Sequence, residues 1–86
     1  MQAHMQRLIG RLMEAEPEAR PILRRVFFLH ATRDWAAEVP EAALEAAASA
    51  MTAMHRALER QDYAEALAHL RVWSGLLGVT KRGAPG

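Results

Sequence analysis

Residues 40–78 read PEAALEAAASAMTAMHRALERQDYAEALAHLRVWSGLLG, and the interruption at Gln61-Asp62 decides how this chain folds. Before it, Glu41, Glu45, Ser49, Thr52, Arg56 and Glu59 share one side of a 3.6-residue period. The rest is mostly Ala, Leu and Met. The period therefore predicts a helix from Pro40 to about Arg60 whose apolar face covers more than half its circumference. After the break, Tyr63, Ala66, Leu67, Leu70, Trp73 and Leu77 predict the inward face of a helix from Tyr63 to about Leu77. Asp62, with Glu65 three residues on, fits a D-x-x-E form of the capping box. Gly78 suits a left-handed C-terminal cap. So short a connection makes the two helices an antiparallel hairpin. Its register places Leu58 near Ala66, Met54 near Leu70 and Met51 near Trp73.

Two further helices are expected ahead of the hairpin. Met5, Leu8, Ile9, Leu12 and Met13 give residues 3–15 a narrow apolar stripe, weakened by Gly10. Pro17 and Pro21 suit the start of a second helix, expected from Pro21 to about Ala37. In that helix Ile22, Val26, Leu29 and Ala36 share one side, while Phe28, Ala31 and Trp35 fall nearly opposite. Phe27 and His30 lie between them. A helix apolar on two sides is central to its domain or shared with a partner. The expected fold is all-α, a small four-helix bundle with an antiparallel C-terminal helical hairpin. Its domain covers residues 1–78, with a flexible basic tail over 79–86. Helices one and two should pack across the alanine-rich side of the hairpin.

Composition excludes several classes. With 51% hydrophobic and 24% charged residues, the chain is too apolar for a disordered segment. No apolar run approaches the roughly 18–20 residues that span a bilayer, and no secretory leader is legible at the N-terminus. Zero cysteine removes disulfides and thiolate chemistry. A cytoplasmic protein without membrane contact is expected. Eighteen of the 86 residues are alanine, the best helix former and a poor source of buried area. The core should therefore be thin, which favours a homodimer or a complex with another protein.

The net charge of +1 conceals three blocks. Residues 1–33 set six arginines against three glutamates. Residues 34–70 set seven acids against Arg56 and Arg60, and residues 71–86 carry only Arg71, Lys81 and Arg82. So small a total argues against a dedicated nucleic-acid binder.

Catalytic and metal chemistry find little to stand on. None of His30, His55 and His69 follows a glutamate at the Glu-x-x-His spacing of carboxylate-bridged di-metal bundles, and no H-E-x-x-H occurs. His55 and His69, level across the expected hairpin, are the best remaining metal pair. The pairs Glu41/Glu45, His55/Glu59 and Glu65/His69 lie at i, i+4, where they ordinarily stabilise a helix surface. Ser49 and Ser74 lie in helices without a strained turn, and no glycine-rich loop is placed to hold phosphate. No catalytic residue, cofactor, metal or small-molecule substrate is expected.

One constellation remains. Arg24, Arg25 and Arg33, with Phe27, Phe28 and Trp35 among them, combine the residue types that protein interfaces concentrate. They suggest a non-catalytic, self-associating protein-interaction module, such as a regulatory subunit, inhibitor or assembly factor. The alternative is a nucleic-acid-associated regulator using Arg20, Arg24, Arg25, Lys81 and Arg82 on phosphates.

The stretch from Leu58 to Leu67 resembles the hairpin turn of a tetratricopeptide repeat. The likeness extends over about 30 residues, and the turn and Ala66 carry it. Trp73 stands where that pattern has a small residue, Ala50 and Ala57 where it has large ones, and no second copy follows. The resemblance implies a helical hairpin and carries no function.

Overall fold

The computed structural model describes residues 3–81 as five helices: α1 (Ala3–Ala15), α2 (Ala19–Thr32), α3 (Trp35–Glu38), α4 (Glu41–Glu59) and α5 (Tyr63–Leu77). The chain is all-α, and α4 and α5 form the most closely packed pair, antiparallel as the short connection requires. Ala47, Ala50, Met54, Ala57 and Leu58 of α4 are buried with Ala66, Leu67, Leu70, Trp73 and Leu77 of α5. Most of the α4 contribution is alanine, so the two backbones approach closely and the bulk is supplied by α5.

The turn of this hairpin is closed by its backbone. Asp62 N–H donates to Ala57 O at 2.9 Å and Gln61 N–H to Leu58 O at 3.0 Å, the paired bonds of a Schellman motif. The left-handed position is Gln61, with φ 61°, where a glycine is the commoner occupant. Asp62 Oδ1 accepts from Glu65 N–H at 3.2 Å and so caps α5. The reciprocal half of the expected capping box is absent among the described residues, because the Glu65 carboxylate is engaged by Arg60 and His69. At the other end Gly78 is right-handed, with φ −79° and ψ −14°, correcting the expected left-handed cap. A Cβ there would lie 3.3 Å from the end of the exposed Arg25 side chain, which a small shift of that flexible guanidinium would relieve.

The main departure from the expected helices is at Arg33-Asp34. The apolar period runs on to Ala36, but α2 stops at Thr32, and Arg33 is extended at φ −119°, ψ 149°. Asp34 then starts the single turn α3, its Oδ1 accepting from Ala37 N–H at 3.4 Å. An aspartate competes for backbone N–H groups and so favours a new start over helix continuation. The break turns Trp35 away from the outer face it would share with Phe28. It packs instead against the core, its ring 4.8 Å from that of His30.

α1 contributes Leu8, Ile9 and Leu12 to the core and lies against α4 and α5. α2 contributes Ala19, Leu23 and Val26 and packs mainly on α5, rather than across the alanine side of α4. Ala42, Ala46 and Ala48 of α4 consequently stay exposed. After α5, Lys81 N–H donates to Glu38 O and its Nζ to Ala36 O, both at 2.8 Å, which brings this end of the chain onto α3. The remainder of the expected tail, including Arg82, lies outside the described residues. Among the described residues no helix is long and apolar enough to cross a membrane.

Candidate protein-binding groove

Among the described residues, four large apolar side chains are exposed: Phe27 at 44%, Phe28 at 66%, Met51 at 44% and Val72 at 53%. Isolated cases of this kind are ordinary on a protein surface. Phe27 and Met51 are different, because they line the same groove from α2 and α4. Met5 and Ile9 of α1, Leu23 of α2, Met54 and His55 of α4 and Trp73 of α5 complete it. Its cavity volume is about 180 Å³. Phe28 follows Phe27 directly and extends the apolar surface around α2.

The groove exists because of the helix packing. α2 turns Leu23 and Val26 onto α5, which leaves Phe27 on the flank with only a groove beyond it. Met51 and Trp73 both line it, which agrees with the hairpin register read from the sequence. Three of the five methionines, Met5, Met51 and Met54, meet here. Unbranched thioethers repack readily, a property common to adaptable binding surfaces.

A chain of polar contacts borders the groove. His4 Nε2 donates to Glu59 Oε1 at 2.8 Å, and His55 Nε2 lies 3.3 Å from the same oxygen. The His4 hydrogen bond is the main cause holding the Glu59 carboxyl below its ordinary value, with the charges of His4 and His55 adding to it. On α5, His69 lies 3.9 Å from Glu65. His55 and His69, the best metal pair the sequence offered, each lie beside a carboxylate of their own helix. No group of three His or acidic side chains suited to a metal occurs among the described residues.

The sequence-selected residues divide into two sets. Phe27, Phe28, Arg20 and Arg24 are exposed. Arg24 precedes Phe27 by three residues and Phe28 by four, and Arg20 precedes Phe27 by seven, so they continue the same flank. Arg25, also exposed, extends toward Gly78 at the C-terminal end of α5, where a cation complements the helix dipole. Arg33 and Trp35 serve the fold. Arg33 Nη1 donates to Leu77 O at 2.8 Å and Nε to Glu38 Oε2 at 2.7 Å, with the guanidinium 5.0 Å from the Trp35 ring centroid. The groove residues that sequence reasoning did not select are Met5, Met51, Met54, Ile9, Leu23, His55 and Trp73. Methionine clustering on facing helices was the available signal, but which faces meet depends on how α1 crosses the hairpin.

Comparison with protein-family models, curated proteins and solved structures finds no match to this chain.

Proposed function

We propose that this chain is a non-catalytic protein-interaction module, of the kind that acts as a regulatory subunit, inhibitor or assembly factor. The observation that carries the reading is the groove walled by the exposed Phe27 and Met51, with Phe28 exposed next to it on α2. Aromatic anchors beside a concave apolar site are where binding energy concentrates at protein interfaces. The lining supports the same reading, since its single titratable side chain, His55, already lies against Glu59. The partner is a second copy of the chain or another protein.

Affinity capture from the native host, run with the wild type and with a Phe28→Ser/Met51→Lys variant, tests this reading. A protein held by the wild type and released by the variant, at unchanged helicity, supports it. Equal retention by both removes its basis. Light scattering run alongside separates a homodimer from a heteromeric complex.

The nucleic-acid alternative retains Arg20, Arg24 and Arg25 as exposed cations. It is the weaker reading because the Lys81 ammonium is engaged by Ala36 O and the apolar groove has no part in it. Salt-dependent binding to a generic duplex or single strand would favour it.

A further inference from the structure

We infer that the groove accepts an acidic amphipathic helix from a partner protein, with one large apolar side chain in the cavity and carboxylates against Arg20 and Arg24. This inference rests on the interaction-module reading and specifies its partner.

Size restricts the occupant first. A cavity of about 180 Å³ falls below the roughly 300–1,000 Å³ of small-molecule pockets. It matches a single anchoring side chain presented by a larger body. The walls come from four helices and leave no exposed strand edge, so the fitting mode is a helix laid along a groove.

Charge then decides the character of that helix. Two carboxylates of α4 and α5 are engaged, Glu59 in hydrogen-bond contact with His4 and His55, and Glu65 by Arg60 and His69. Glu18, at the start of α2, is held by Arg71. Arg20 and Arg24, on the flank beyond Phe27, are exposed and make no ion pair among the described residues. The unpaired charge on the flank of α2 that carries Phe27 is therefore positive. An incoming helix with acidic positions flanking its apolar anchor gains attraction and faster encounter, whereas a basic one meets like charge.

The test uses the full chain with ¹³C-methyl-labelled methionine and two stapled helical peptides. The peptides share one leucine–phenylalanine face and differ only in carrying glutamate or lysine at the flanking positions. The methyls of Met5, Met51 and Met54 report on the groove, and Met13 serves as the internal control. The acidic peptide is expected to shift the three groove methyls and to bind at least about threefold more tightly than the basic one. An Arg20→Glu/Arg24→Glu variant is expected to reverse that order. Because both arginines are exposed, the unperturbed Met13 signal verifies that the variant folds.

Equal binding of the two peptides, or an order unaffected by the charge reversal, overturns the acidic inference while the interaction-module reading stands. Groove shifts that depend on protein concentration without peptide assign the groove to a second copy, which also overturns this inference but keeps the reading. If neither peptide moves the groove methyls and the chain is monomeric at all concentrations, both fall.

Discussion

His4 Nε2 and Glu59 Oε1 lie 2.8 Å apart, joining the first turn of α1 to the last turn of α4 across 55 residues of sequence. The contact fixes the end of α1 beside the groove to which Met5 contributes. Glu59 is held below its ordinary value by this bond, so between the lowered folded pKa and the ordinary carboxylate range the unfolded chain binds more protons. Stability from this group is therefore fully present above the ordinary value and is lost as pH falls through the folded one. Urea midpoints measured between about pH 3 and pH 5 should rise with pH less steeply in Glu59→Gln than in the wild type. Parallel pH profiles would show that the contact contributes nothing.

The hairpin turn supplies a stabilising substitution. Gln61 holds φ 61° at the left-handed position of the Schellman motif, a conformation costing an L-residue roughly 1–2 kcal/mol. Glycine removes that cost but gives back about 0.5–1 kcal/mol of chain entropy. Gln61→Gly should therefore raise stability by up to about 1.5 kcal/mol, measured by chemical denaturation. Asp62→Ala, which removes the cap on Glu65 N–H, should lower it by about 0.5–2 kcal/mol.

These two positions also mark how far the sequence could be read. Gln61-Asp62 interrupts a strong apolar period, and from that break the hairpin and the placing of Met51 and Trp73 along one groove follow by spacing alone. Arg33-Asp34 interrupts nothing in the apolar pattern, since Ala36 continues it. The helix ends there because a capping aspartate and the internal contacts of Arg33 outweigh periodicity. The candidate site is legible to the same degree. Phe28 stands out as an apolar residue on the wrong side of its helix, with Phe27 between the two apolar sides. The remaining groove wall depends on a crossing angle between α1 and the hairpin that no local pattern encodes.

Core and surface positions on α5 should separate sharply. Leu70 is fully buried, whereas Val72, two residues on, is 53% exposed. Leu70→Ala removes well-packed atoms and leaves a cavity, a change that costs about 2–5 kcal/mol. For a domain of this size the thermal midpoint should fall by roughly 10 °C or more. Val72→Ala should remain within about 0.5 kcal/mol of the wild type. Thermal unfolding followed by circular dichroism compares the two, and similar midpoints would contradict the burial assigned to Leu70.

Arg33 and Arg24 belong to the same basic–aromatic constellation in sequence, but their contacts predict opposite behaviour. The Arg33 guanidinium closes α2, α3 and the end of α5 onto one another through Leu77 O, Glu38 and the face of Trp35. A charged donor to a carbonyl contributes about 1.5–3 kcal/mol, and the ring contact adds about 0.5–1 kcal/mol. The half-exposed Glu38 pair adds little. Arg33→Ala should thus cost about 2–4 kcal/mol and shift Trp35 fluorescence as its ring loses the stacked cation. Arg33→Lys should recover only part of the loss, because an ammonium cannot fill the planar fork. Arg24→Ala should leave stability within about 0.5 kcal/mol and weaken only partner binding. Equal stability of Arg33→Ala and Arg24→Ala would return Arg33 to the binding surface and dissolve the distinction.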